Sequence, residues 1–198
     1  MKKAIQFILL TIVVGFIISC GLTTKEIITK SRSVRSDIYT EVEDQGRIPP
    51  KGFVDLVIKT SIKTHVEGYH IFESSESPHG KPGYPFVFNI DGQGTLWKID
   101  GEKETTPDYD KDGKRDSEGG TGIRYTIEKR IRVKPGSHMI FFALPKDKIS
   151  VEFQISLSEG RTHVLEFKPL YGSRRVLQNS FLNGISRFEV FLDGAGVR

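Results

Sequence analysis

The sequence contains a single cysteine, Cys20, among its 198 residues. One thiol cannot form a disulfide within the chain, and it excludes metal sites built from clusters of cysteines. The charge is also nearly balanced, because 29 Lys and Arg residues stand against 25 Asp and Glu residues, for a formal net charge of +4. This small and evenly spread excess does not favour nucleic acid as a partner, and we predict none.

Motifs of common catalytic and nucleotide sites are missing as well. The chain has no Gly-x-Ser-x-Gly elbow, and the glycines within 119–122 are not followed by the Lys-Ser/Thr of a phosphate-binding loop. Its histidines form neither a His-x-His nor a His-Glu-x-x-His pair; they are His65, His70, His79, His138 and His163. We therefore predict a protein that is not an enzyme. Two alternatives stay open: a zinc site assembled in three dimensions, and a periplasmic hydrolase that uses scattered acids.

One hydrophobic run lies near the N-terminus, over residues 4–19, after Lys2 and Lys3. It is shorter than the roughly 20 apolar residues that a membrane span needs. A positive start followed by a short apolar run is typical of a secretion signal. We predict a signal peptide at residues 1–19.

The run ends in Ile17-Ile18-Ser19-Cys20-Gly21, which resembles the lipobox of bacterial lipoproteins. In that family a small residue precedes a cysteine that is acylated; here Ile17 replaces the usual leucine. The resemblance implies lipidation of Cys20, attachment to the membrane, and, from Gly21, the outer membrane of a Gram-negative cell envelope. An uncleaved N-terminal anchor helix, with Cys20 as a bystander, is the alternative.

Residues 20–52 show no sustained hydrophobic period, apart from one possible helical turn around 34–43. Pro49-Pro50 near the end of this stretch favours extended backbone. We interpret residues 20–52 as the lipidated cysteine followed by a flexible tether. The remaining residues, 53–198, form the predicted domain.

The domain has a period of two. Apolar side chains alternate with polar ones over 151–157, and a similar pattern over 54–58 indicates a half-buried strand. Asp91-Gly92 and Asn183-Gly184 are typical of tight turns between strands. About eight or nine such strands, spaced roughly 8–12 residues apart, predict an all-β fold, an antiparallel β-sandwich.

The stretch 133–167 carries a second resemblance. Its Lys-Pro-Gly-Ser-His and Ser-Glu-Gly turns between strands resemble the rhythm of PEGA-type and transthyretin-like surface modules, although a full Pro-Glu-Gly-Ala signature is absent. The resemblance implies a non-enzymatic envelope domain with an Ig-like or transthyretin-like sandwich. The same dipeptides are also simply good turn formers, which is the alternative explanation.

An acidic loop at 100–122 interrupts the strand pattern. Its centre resembles the Asp-x-Asp-x-Asp-Gly loops of extracellular calcium-binding modules, since alternate oxygens of a wound loop can meet at one Ca²⁺ ion. Gly119 stands where an EF-hand needs its last glutamate, so the loop is not an EF-hand. The predicted ligands are Asp108, Asp110, Asp112, the backbone carbonyl of Lys114, Asp116 and Glu118. The alternative is a solvated hydrophilic insertion.

These features favour a non-catalytic envelope lipoprotein. We predict that its membrane-tethered β-sandwich binds or organises other envelope components, either a protein or a glycan. A calcium-dependent carbohydrate-binding or adhesive module is the alternative. The loop-rich segment 68–122 is the predicted binding face, because loops held by a rigid sheet commonly carry recognition.

Overall fold

The computed structural model describes residues 24–43, 48–173 and 178–197, so the predicted signal peptide and Cys20 lie outside the described residues. The all-β prediction is confirmed. The elements are α1 Thr24–Ser31, β1 Tyr39–Glu41, β2 Val54–Thr64, β3 Tyr84–Ile90, β4 Gln93–Ile99, β5 Glu102–Thr106, β6 Gly120–Val133, β7 Gly136–Leu144, β8 Ile149–Leu157, β9 Thr162–Tyr171, a 3₁₀ turn at Phe181–Asn183, β10 Ile185–Leu192 and β11 Ala195–Gly196. No helix in the described part of the chain has the length and apolar composition needed to cross a membrane.

The strands form two sheets. The larger sheet has seven strands in the order β1-β6-β2-β9-β10-β11, and β5 also pairs with β6. The smaller sheet has the order β4-β3-β7-β8. Neighbouring strands are antiparallel, with one exception: β2 and β9, at the centre of the larger sheet, are parallel.

Both sheets contribute to one apolar core. Alternate residues of β2, such as Leu56 and Ile58, are fully buried, as the period of two predicts. Across the core, the Phe142 ring of β7 stacks on the Phe167 ring of β9, with centroids 4.1 Å apart. The inner faces of the two sheets therefore pack against each other.

The predicted tether is wrong for residues 24–43. Helix α1 buries Ile27 completely against Val87, Phe141 and Ala143, on the face of the smaller sheet that points away from the main core. Strand β1 then pairs with the end of β6. An eight-residue helix with one fully buried side chain leaves little periodic signal in the sequence, which is why this segment resembled a spacer.

One long connection passes from the larger sheet to the smaller one. We call residues 65–83 the crossing loop, since it starts at the end of β2 and leads into β3. Four successive turns shape it, closed by backbone hydrogen bonds from Tyr69 to Val66, Glu73 to His70, Ser77 to Ser74 and Lys81 to Pro78. These turns bring distant loop side chains to the same end of the molecule.

Candidate metal centre

Three side chains of the crossing loop meet at one point. His79 Nδ1 lies 3.1 Å from His65 Nε2 and 2.9 Å from Glu73 Oε1. His65 Nε2 and Glu73 Oε1 are 3.4 Å apart. Within residues 24–43, 48–173 and 178–197, this is the one group of three or more His, Cys, Asp or Glu residues arranged closely enough to hold a metal ion.

A glycine allows the two ends of the loop to approach. Gly80 has a φ of +75°, and a Cβ atom built on it would lie 2.1 Å from the backbone nitrogen of Glu67. Any larger residue would therefore push the chain apart at this point. The Gly80 N–H also donates to the Thr64 hydroxyl, 3.2 Å away, and so holds His79 beside His65.

Neighbouring groups fix which nitrogen of each ring faces the meeting point. His65 Nδ1–H donates to the Val66 carbonyl at 2.9 Å, because a carbonyl oxygen can only accept. His79 Nε2–H donates to Asp147 Oδ1 at 2.6 Å, and the Tyr84 hydroxyl donates to the other oxygen of Asp147. In the neutral rings, the lone pairs of His65 Nε2 and His79 Nδ1 then point at each other and at Glu73.

The hydrogen bonds from the two rings to the Val66 carbonyl and to Asp147 are typical of histidines that bind metals. A ligating imidazole almost always donates its other N–H to a carboxylate or a backbone carbonyl, which orients the ring. Asp147 lies in the turn between β7 and β8, and Tyr84 begins β3, so both belong to the smaller sheet. His65 follows β2 of the larger sheet, and the centre therefore joins the ends of both sheets.

The surroundings also shift the pKa values of the three groups. Burial lowers the pKa of His65, which keeps its ring neutral. Burial alone would lower the pKa of His79 too, but the hydrogen bond and charge of Asp147 outweigh it and raise that pKa. Burial opposes ionisation of Glu73, yet a hydrogen bond from Ser77 and the two imidazoles lower its pKa. A neutral imidazole and an ionised carboxylate are the forms that bind metals, so the shifts at His65 and Glu73 favour binding, whereas at His79 a metal ion must displace a proton.

The spacing suits a small tetrahedral ion. Ligand atoms about 2.0–2.1 Å from a tetrahedral Zn²⁺ are separated by about 3.3 Å, and the three measured separations are 2.9, 3.1 and 3.4 Å. Two imidazole nitrogens with one carboxylate oxygen favour Zn²⁺ or a similar transition metal, whereas Ca²⁺ and Mg²⁺ prefer oxygen alone. Three lone-pair atoms this close repel one another unless a cation or a proton lies between them.

A cavity of about 290 Å³ opens beside the three side chains. Residues 181–185, which include the 3₁₀ turn, also line it. Lys63 also borders the cavity, but its Nζ donates to the Thr106 hydroxyl at 2.9 Å and to the carbonyls of Glu118 and Gly120 at 2.8 Å. Because all three donors are used, Lys63 supports the wall of the cavity and is not free to react.

Many polar groups of the acidic loop form hydrogen bonds with other groups of the same loop. Asp110 Oδ1 accepts hydrogen bonds from the backbone N–H groups of Asp112 and Lys114, at 3.0 and 2.8 Å. The Lys114 carbonyl, predicted as a calcium ligand, accepts the Asp110 N–H at 2.8 Å. Asp116 Oδ1 accepts the N–H of Glu118. Asp108, Asp110, Asp112 and Asp116 thus line one loop without converging as closely as the histidine group does.

Glu118 points away from that loop. Its Oε1 accepts the Tyr171 hydroxyl at 2.7 Å, and its Oε2 accepts Arg124 at 2.7 Å. Arg124 also binds Glu104 through two nitrogens. Glu118 therefore belongs to a separate ion-pair network, and calcium binding by the other loop residues stays a prediction.

The predicted binding face, 68–122, includes two of the three residues of the centre, Glu73 and His79, but the centre itself was missed. The spacing 65-73-79 matches no regular helix or strand motif, since turns and Gly80 create the proximity. Comparison of the chain with protein-family models, with curated proteins and with solved structures finds no match. The geometry of the centre is therefore the basis for a functional assignment.

Proposed function

We propose that this protein binds one divalent transition-metal ion, with Zn²⁺ as the best fit, through His65 Nε2, Glu73 Oε1 and His79 Nδ1. The observation that carries the proposal is the meeting of these three atoms within 3.4 Å of one another. Their partners, the Val66 carbonyl and Asp147, orient both rings toward the same point. Such a site needs no cysteine, and the chain has only Cys20.

The proposed role of the centre is binding and not catalysis. Two of the polar groups beside the cavity already have partners: Lys63 is held by three oxygens, and Asp147 joins His79 to Tyr84. Burial raises the pKa of Tyr84 far above its usual range, so its hydroxyl stays protonated and acts as a donor. This rigid polar wall supports retention of an ion.

The proposed setting is the bacterial cell envelope, where lipid on Cys20 would attach the domain to the outer membrane. The resemblance of residues 17–21 to a lipobox supports this setting. Two sheets that share one core support an Ig-like or transthyretin-like sandwich as the finer description of the fold. In this setting, the metal-bound domain would bind or organise an envelope protein or glycan.

Metal analysis of the purified full-length protein tests the proposal. After removal of metal with a chelator and dialysis against Zn²⁺, we expect one bound ion per chain. His79→Gln and Glu73→Gln should each weaken binding by at least about tenfold. His138→Gln is the matched control, because His138 is bound to Asp91 and Lys134 outside the centre. Absence of stoichiometric Zn²⁺, or equal loss in all three variants, would refute the assignment.

A further inference from the structure

The five histidines differ in how their rings are held. His65, His79, His138 and His163 each have both ring nitrogens within hydrogen-bonding distance of a partner. His70 is different: neither of its ring nitrogens is hydrogen-bonded to any residue that the structure describes. A half-buried imidazole with two unused nitrogens is available for another bond.

His70 also lies next to the candidate metal centre. Its ring meets the His65 ring edge to face, with centroids 4.7 Å apart and planes at 82°. It borders the same cavity as His65, Glu73 and His79. Its carbonyl accepts the Glu73 N–H at 3.1 Å, so a single turn connects the backbone of His70 to that of Glu73, a proposed ligand.

We propose that His70 is the fourth ligand, and that it closes the site when the ion binds. This inference rests on the metal binding proposed above. Four protein ligands around Zn²⁺ are typical of structural sites, whereas catalytic sites keep one position for water. A site of three histidines and one glutamate would hold its ion without a coordinated water molecule and would retain it.

The chain around His70 can move at little cost in buried surface. Ile71 and Phe72, which follow it, are 91% and 100% exposed. Rotation of His70 toward the ion therefore costs no packing of these two side chains, and it changes only the ring contacts that His70 makes with His65 and Tyr69. The two ends of the crossing loop remain fixed, His65 by β2 and His79 by Asp147. Closure would thus move the tip that carries Ile71 and Phe72, while His65 and His79 stay in place.

Cobalt substitution tests the fourth ligand directly. Co²⁺ prefers the same ligands as Zn²⁺, and its visible spectrum reports the coordination geometry and any new ligand. With the full-length protein we expect a tetrahedral spectrum that added azide does not change, because no solvent position is open. His70→Ala should bind Co²⁺ at least about tenfold more weakly. Its spectrum should respond to azide, which would occupy the vacated position.

Phe72→Ala is the matched control, since it alters the same loop tip without a ligand atom. Its affinity and azide response should equal those of the unmodified protein. Far-ultraviolet circular dichroism checks that His70→Ala is folded, and His70→Gln provides a second variant. An unchanged affinity in both His70 variants, or an azide-sensitive spectrum of the unmodified protein, overturns the fourth-ligand inference and leaves metal binding intact. Absence of Co²⁺ and Zn²⁺ binding by the unmodified protein overturns metal binding itself.

Discussion

Replacement of Asp147 by alanine should weaken metal binding without touching a ligand. Asp147 Oδ1 lies 2.6 Å from His79 Nε2, and its side chain is 17% exposed, so water is a poor substitute for it. Without this acceptor, the His79 ring can rotate or carry its proton on Nδ1, the atom proposed to bind the ion. Loss of such an orienting partner typically costs 10–100-fold in metal affinity, or about 1.4–2.7 kcal/mol.

The measurement is a competition titration of Zn²⁺ between the protein and a chromogenic chelator at fixed pH and salt. Tyr84→Phe should produce a smaller loss than Asp147→Ala, because it removes a donor to Asp147 and leaves the bond to His79. Asp193→Ala is the matched control: Asp193 accepts from His163 Nδ1 at 2.7 Å, a similar carboxylate–histidine pair outside the centre. It should reduce stability but leave Zn²⁺ affinity unchanged.

Two results would refute this reasoning. One is full Zn²⁺ affinity in Asp147→Ala, since His79 would then need no orientation by that carboxylate. The other is an equal affinity loss in Asp193→Ala, which would indicate a general effect of destabilisation. The free energy of unfolding of both metal-free variants, measured in urea, separates the two effects.

Four further predictions concern stability and attachment. Hydrogen bonds from a guanidinium lower the pKa of Glu104 from 4.5 to about 2, so its ionised form stabilises the fold fully above pH 4.5, and this contribution is lost as the pH falls toward 2. Because the side chain is 36% exposed, we expect about 1 kcal/mol after screening, and Glu104→Gln should show a smaller acid-induced drop in urea midpoint. Ile27→Ala should cost about 2 kcal/mol of unfolding free energy, whereas no change would mean that α1 is not packed. Cys20→Ser should release the protein from membranes or stall its processing, and an unmodified Cys20 in the mature protein, found by mass spectrometry, would contradict lipidation. If the acidic loop binds Ca²⁺, millimolar Ca²⁺ should raise the melting temperature by a few degrees, and Asp110→Ala with Asp112→Ala should abolish the shift; equal midpoints would make the loop a solvated insertion.

Most of the longer strands were predictable from the sequence because each has a local signal, whereas the short strands β1, β5 and β11 were not predicted. Alternation over 151–157 and the Asp91-Gly92 turn correspond to β8 and to the turn between β3 and β4. The parallel pairing of β2 with β9 was not predictable in this way, since partner choice depends on residues far apart in the chain. Helix α1 was missed because its one fully buried residue, Ile27, contacts a surface that only the folded smaller sheet provides.

The candidate centre, too, has features that the sequence predicts and features that it does not. Each of its residue types is visible in the sequence, and the crossing loop contains turn formers such as Pro78 and Gly80. Their proximity, however, depends on four consecutive turns and on Asp147 from a different part of the chain. Likewise, the spacing of acids suggested Glu118 as a calcium ligand, but an ion pair with Arg124 turns it elsewhere. Side-chain direction in loops follows from tertiary partners, which a linear pattern does not contain.

The central position of β2 has a consequence for the order of folding. Its two neighbours in the sheet, β6 and β9, come much later in the chain; the Thr60 hydroxyl, for example, binds the carbonyl of Phe167, 107 residues away. Such distant pairing must overcome a large loop-closure entropy, so folding is slow compared with that of proteins with local contacts. A chain synthesised from its N-terminus cannot complete the larger sheet until β9 has emerged, and a truncation before Thr162 would leave one edge of β2 exposed to aggregation.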